Sequence, residues 1–139
     1  MAHDPHILDW ISKYGIKSIL NAPGGDHTEE QVFLNAGAEK VLSIDLNGVC
    51  AVTADLCVWK PDGGWDAVYI NCIFCTAVLG IGDPAILAKN YASWPVKHIL
   101  LYDTPGFDWE PYFLEAGWRK LEDEDDGQGH RSRIQLWGK

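Results

Sequence analysis

The chain has 139 residues, 47% of them hydrophobic, enough for one compact core and too few for two ordinary domains. Twenty acidic against eleven basic side chains leave a net charge of -9, which repels a polyanionic backbone and argues against tight nonspecific nucleic-acid binding. No stretch has the roughly 18 consecutive apolar residues that cross a bilayer. The opening MAHDPHILDWISKYG also lacks the basic start and apolar run of a secretory signal, so a cytoplasmic chain with four free thiols (Cys50, Cys57, Cys72 and Cys75) and no membrane partner is expected.

Helical spacing of Ile7, Leu8, Ile11 and Tyr14, with Pro5 in the first turn and Gly15 as a stop, predicts a helix over 4–14. A first strand over 17–22 runs into Pro23-Gly24-Gly25, after which Asp26 or Thr28 caps a helix ending near Gly37. KVLSIDL (40–46) reads as a second buried strand, VCAVTADL (49–56) as a shorter third and WDAVYINCIF (65–74) as a fourth. The turn KPDGG (60–64) separates the last two. Helical composition over 83–94, with Pro84 in its first turn, precedes a fifth strand, VKHILLYDT (96–104). A short helix over 109–116 leads to WRKLEDED (118–125), the turn-rich DGQGH (126–130) and RSRIQLWG (131–138). So short a loop makes the last two extended segments antiparallel, with the acidic run 122–126 as the solvated end of their hairpin.

Strands joined by helical crossovers imply an α/β architecture with a mostly parallel sheet covered on both faces. In such a sheet, ligands bind beyond the carboxyl ends of the strands, where the strand order reverses. The Pro23-Gly24-Gly25 turn is placed there. Absent side chains at Gly24 and Gly25 permit close approach of a nucleotide-like ligand, and the following helix offers unpaired backbone N–H groups. A tight turn without a ligand explains the glycine pair equally well. Asp45 closes the second strand about twenty residues on, the spacing from which an acid accepts hydrogen bonds from both ribose hydroxyls. A strand-end Asp also caps turns.

The stretch ILNAPGGDHTEEQVFLNAGAEKVLSIDL (19–46) resembles the cofactor-binding segment of class I S-adenosylmethionine-dependent methyltransferases, whose first strand enters a glycine-rich loop and whose second ends on an acid. The resemblance extends over all but the amino-terminal helix. It implies a three-layer Rossmann-like sandwich: a mostly parallel seven-stranded sheet with an antiparallel C-terminal hairpin strand, in a single domain spanning 1–139 without a separate substrate domain. It also implies S-adenosyl-L-methionine as cofactor, with Asn21, Pro23, Gly24, Gly25, Asp45, Leu46, Asp55, Leu56 and Asn71 as its contacts. Asp55, in TADL, matches the position that contacts the adenine amino group, and Asp66 opens the fourth strand in the family manner. FLEAGWRKLEDED and RIQLWGK resemble the family's last helix and hairpin, which separates this reading from a nicotinamide dehydrogenase, whose sheet continues with parallel strands. The departures are Asn21 in the acidic place, and Pro23 and His27 in the places of the first and third glycines. Asn21 can hydrogen-bond the amino-acid end of a cofactor but brings no charge to pair with an ammonium group. An APGG loop also resembles that of ribosomal RNA 2′-O-methyltransferases, without their lysines.

Methyl transfer from a sulfonium asks the protein to align and desolvate the nucleophile, and needs a base only where the nucleophile arrives protonated. Asn71 and Phe74 match amino-directed methyltransferases, whereas Cys72 and Ile73 stand in place of their two prolines. Asn71 is therefore a candidate substrate or cofactor contact, against plain strand-end hydrogen bonding. His27 is a candidate to stack on, hydrogen-bond or deprotonate a bound group, against a solvent-facing helix start; Asp103 is a further cleft-edge carboxylate. The lone Cys72-x-x-Cys75 lacks the second pair of a four-ligand zinc site, so buried thiols and no metal are expected. Trp109, Tyr112 and Phe113 read as an acceptor wall or a contact in a homo-oligomer.

A minimal methyltransferase domain acting on a small molecule is the expectation, its acceptor site open, very small or completed by another copy. The alternatives are an enzyme cleaving S-adenosylmethionine, a noncatalytic binding or regulatory module, and a nucleic-acid methyltransferase with a basic face of Arg119, Lys120, Arg131 and Arg133.

Overall fold

The computed structural model describes residues 5–24, 28–45, 50–71, 84–103, 107–125 and 133–139. Helix α1 (Pro5–Lys13) precedes β1 (Ser18–Asn21), α2 (Glu29–Asn35), β2 (Lys40–Asp45), β3 (Val52–Thr53) and β4 (Trp65–Asn71). Then follow α3 (Pro84–Ala92), β5 (Val96–Asp103), α4 (Glu110–Glu115), β6 (Arg119–Asp125) and β7 (Arg133–Gly138). The seven strands form one sheet in the order β3-β2-β1-β4-β5-β7-β6. Neighbours from β3 to β5 are parallel, and β7 runs antiparallel between β5 and β6. This is the mostly parallel α/β sheet with a reversed C-terminal hairpin strand that the crossovers and the short last loop imply.

Strand alternation divides the core into two. Ile19, Ala67, Tyr69, Leu100, Ile134 and Leu136 face α1 and α2 and pack with Ile7, Ile11 and Phe33. Leu20, Val68, Ile70, Ile99, Leu101 and Trp137 face α3 and α4 and pack with Leu87, Tyr91 and Phe113. The result is three layers, each buried Leu, Ile or Phe contributing about 1.5–3 kcal/mol. Gly37, at φ 121°, ends the segment after α2 in a conformation that strains any residue with a Cβ. Among the described residues, no helix is long and apolar enough to cross a membrane.

Three expectations need correction. The third strand does not extend to residue 56: among the described residues only Val52 and Thr53 pair with β2, because Asp55 begins a turn. Its Oδ1 accepts the Cys57 N–H at 2.9 Å and its carbonyl the Trp59 N–H at 2.8 Å, which takes the backbone out of the ladder. The crossover from β3 to β4 consequently contains no helix, leaving a cleft of about 400 Å³ between Lys40, Leu42, Val52, Trp59 and Trp65. Second, the acidic run is not merely a solvated tip. Glu122 Oε2 accepts hydrogen bonds from Lys13 Nζ and the Tyr14 hydroxyl, both at 2.7 Å, tying β6 to α1. Third, Trp109 and Phe113 are core residues: Trp109 is 3% exposed and packs against Tyr91, Phe107 and Phe113. They are therefore neither an acceptor wall nor an oligomer contact; half-buried Tyr112 stacks on Phe107 at 5.5 Å.

Candidate functional site

The strand order reverses between β1 and β4, since β2 and β3 lie to one side of β1 and β4 and β5 to the other. At such a switch point the loops leaving the two strands diverge and open a crevice at the carboxyl edge. Asn21 closes β1 there, in register with Ser43 of β2 and Tyr69 of β4. It is fully buried; its Nδ2 donates to Ser43 Oγ at 3.0 Å, and among the described residues its Oδ1 has no hydrogen-bond partner. A hydroxyl both donates and accepts, so either orientation of the amide satisfies this one bond and strands the other amide atom. Stranding a buried polar atom costs about 1–3 kcal/mol.

The turn after Asn21 is held by its neighbours on three sides. Ala22 N–H donates to the Tyr69 carbonyl at 3.1 Å, its carbonyl accepts the Tyr91 hydroxyl at 2.6 Å, and Gly24 N–H donates to the Ile44 carbonyl at 2.9 Å. The Ala22–Pro23 peptide is cis. A Cβ on Gly24 would stand 2.8 Å from both Cys50 Sγ and Ser43 Cβ, too close for any real contact. Packing of β2 and Cys50 against the turn therefore accounts for this glycine without a ligand. Gly25 and His27 lie outside the described residues.

Asp45, half-buried, ends β2, and its carbonyl accepts the Ala54 N–H at 3.0 Å. Burial, then the negative charge of Asp45, then Cys57, push the Tyr91 hydroxyl well above its ordinary pKa, which places the Asp45 carboxylate within electrostatic reach of the residue that holds Ala22. Asp55 is exposed within its turn, whereas Leu56 is buried in the core. Asn90 Nδ2 donates to the carbonyls of Leu56 at 2.6 Å and Trp59 at 2.8 Å, fixing the turn from α3. Asn71, half-buried, closes β4 in register with Tyr102 of β5. Asn21, Asp45 and Asn71 thus end neighbouring parallel strands on one edge, with Asp55 and Leu56 just beyond β3. Leu46, Cys72, Phe74 and Cys75 lie outside the described residues, and Asp103 ends β5.

Two of the four residues of the expected basic face are paired with acids. Lys120 pairs with Glu110 and Asp123, and Arg133 with Asp123 and Asp125; Arg131 is outside the described residues. Among the described residues no three His, Cys, Asp or Glu side chains converge as metal ligands. Sequence reasoning missed Ser43, Asn90, Tyr91 and Glu29, whose Oε2 is shielded from solvent without a partner in the first turn of α2. The available signals were slight: a lone serine in an apolar strand, an Asn-Tyr pair on an apolar helix, and an acid where a helix start commonly carries one.

No protein-family model matches the chain, and no curated protein matches it in sequence. Solved structures do match in shape. The magnesium protoporphyrin IX methyltransferase of Synechocystis, solved with bound S-adenosylmethionine, aligns at TM-score 0.72 and 14% identity over 97% of this chain and 77% of its own. The 1,6-didemethyltoxoflavin-N1-methyltransferase of Burkholderia thailandensis aligns at 0.69 and 11% identity over 97% and 76%. An rRNA methylase from Escherichia coli aligns at 0.58 and 14% identity over 96% and 64%. At such identities the likeness is one of fold.

Proposed function

We propose that this chain, whose fold is that of the class I S-adenosylmethionine-dependent methyltransferases, binds S-adenosylmethionine and transfers its methyl group to a small molecule. The observation that carries the proposal is the buried Asn21 amide, one of whose two polar atoms is left without a partner, at the point where the strand order reverses. A buried polar atom without a partner is rare in a packed core and calls for an explanation, which a bound ligand at this crevice would supply.

The residues present fit this cofactor. Asp45 offers a carboxylate at the end of β2 for two ribose hydroxyls, and the turn at Asp55 and Leu56 lies beside it for the adenine. Asn21, with the turn of Pro23 and Gly24, faces the amino-acid portion, and Gly25 and Leu46 complete the proposed contacts. When bound, the cofactor supplies a methyl group activated on a sulfonium. The chain's part is to align the acceptor and exclude water, with Asn71 as a candidate to hold the nucleophile and His27 as a candidate to hold it and, where it arrives protonated, to take its proton. A small acceptor suits the net charge of -9 and the pairing of Lys120 and Arg133 better than a polyanion does.

Titration calorimetry with S-adenosylmethionine, S-adenosylhomocysteine and NAD on the wild type and Asp45→Ala tests the proposal. Both sulfur nucleotides should bind the wild type and lose at least about tenfold in affinity in the variant, while NAD should not bind. Absence of binding by either sulfur nucleotide overturns the proposal. Methyl transfer is then read as conversion of S-adenosylmethionine to S-adenosylhomocysteine that depends on an added acceptor; cleavage without an acceptor rejects the transferase.

A further inference from the structure

Leu42 of β2 and Val52 of β3 lie on the sheet face that α3 and α4 cover, and with no helix in the β3–β4 crossover they stay half-buried. The cleft over them, about 400 Å³, has the size of a small-molecule site. It opens at the amino edge of the sheet, because Lys40, Val52 and Trp65 begin their strands, whereas Asn21, Asp45 and Asn71 end theirs. Along β2, Lys40 and Asp45 stand roughly 16 Å apart, so the cleft is separate from the crevice proposed for the cofactor.

Its walls are set by contacts within the protein. Trp59 N–H donates to the Asp55 carbonyl at 2.8 Å, its carbonyl accepts Asn90 Nδ2 at 2.8 Å, and its ring stands edge-on to buried Trp94, centroids 5.4 Å apart. Lys40 Nζ rests 4.3 Å from the centroid of the Trp65 indole, which holds the ammonium at the cleft and leaves its N–H groups to a ligand. Asp62 lines the same cleft with the opposite charge. Among the described residues, Lys40 and Asp62 form an ion pair neither with each other nor with any other side chain.

These three features together select the ligand. A hydrocarbon matches the indole and aliphatic floor and leaves both charges unanswered. A simple anion answers Lys40 but meets Asp62, and a simple cation does the reverse. A zwitterion with an apolar body answers all three. We infer that the cleft binds an α-amino acid with a large apolar side chain, its carboxylate on Lys40, its ammonium on Asp62 and its side chain against Trp59, Leu42 and Val52.

Titrations followed through the indole N–H signals in NMR test the inference, using L-phenylalanine, phenylpropionate, which lacks the ammonium, and phenethylamine, which lacks the carboxylate. L-phenylalanine should saturate the wild type at about millimolar concentration or below, and each analogue should bind at least about fivefold more weakly. The signals of Trp59 and Trp65 should move, and those of Trp118 and Trp137, buried outside the cleft, should not. Lys40→Met should weaken L-phenylalanine at least about fivefold without weakening phenethylamine, and Asp62→Asn should weaken it as much without weakening phenylpropionate. Both positions are exposed, so the variants should melt within about 2 °C of wild type. Absence of saturable L-phenylalanine binding up to about 20 mM overturns the inference, as do shifts confined to tryptophans outside the cleft. Analogues that bind as well as the amino acid, or losses that do not follow the removed charge, overturn it too.

Discussion

The Tyr91 hydroxyl donates a 2.6 Å hydrogen bond to the Ala22 carbonyl, joining α3 to the turn that leaves β1. Its neighbour Asn90 reaches the carbonyls of Leu56 and Trp59, so adjacent residues of one helix hold both segments proposed to receive the cofactor. Burial keeps the Tyr91 hydroxyl protonated and therefore a permanent donor. Tyr91→Phe leaves the ring packed and the Ala22 carbonyl unsatisfied. The expected outcome is a loss of about 1–3 kcal/mol in chemical denaturation, with S-adenosylhomocysteine affinity falling several-fold. Unchanged affinity at reduced stability would assign the bond to folding alone.

Asn90→Asp turns a double donor into an acceptor facing two carbonyl oxygens. At pH 7 the variant is expected to lose at least about 2 kcal/mol, because a buried carboxylate without a donor is costly. Protonation converts it into a donor for one carbonyl, so part of the loss should return near pH 5. Denaturation curves at the two pH values, compared with wild type, measure the recovery; equal deficits at both would exclude it.

Gly24→Ala drives a methyl group against Cys50 Sγ and Ser43 Cβ, and about 1–3 kcal/mol of destabilisation is expected. Adding Cys50→Ala removes one of the two obstacles. The double variant should be more stable than the sum of the single changes implies, with a coupling of at least about 0.5 kcal/mol in a double-mutant cycle.

His98 on β5 lies 5.5 Å from Tyr14 between ring centroids, its Nδ1 shielded and unpartnered. Burial lowers its pKa, against the charge of Asp66 and with a push from Lys97. A histidine with a depressed pKa in the folded state contributes stability that is complete above about pH 6.5 and is lost as pH falls through the folded value. Wild-type stability should therefore decline more steeply than that of His98→Gln between pH 7 and pH 5. Parallel slopes in urea denaturation would remove His98 as the cause.

The sheet was legible in the sequence because its signals are local: long β-branched runs, helical spacing between them, and a loop too short for anything but an antiparallel return. VCAVTADL misled for the opposite reason. Its composition suits a strand, but Asp55 captures the Cys57 N–H and ends the pairing after Thr53. The loop at Gly24 shows the same limit at the site. A glycine beside a strand end reads as room for a ligand, yet the atoms that demand it belong to Ser43 and Cys50, remote in the chain. The strand-end positions of Asn21, Asp45 and Asn71 followed from hydrophobic runs, whereas Tyr91 and Asn90 became visible only through partners that no spacing rule identifies.

Strand β6 forms the outer rim of the sheet beyond β7, and a rim strand presents backbone groups that a second chain could extend. Glu122, Asp123, Glu124 and Asp125 follow one another along it. Lining up two such rims would set carboxylates against carboxylates, which disfavours the new ladder. The same row that anchors α1 through Glu122 thus disfavours edge-to-edge pairing of two copies through this rim.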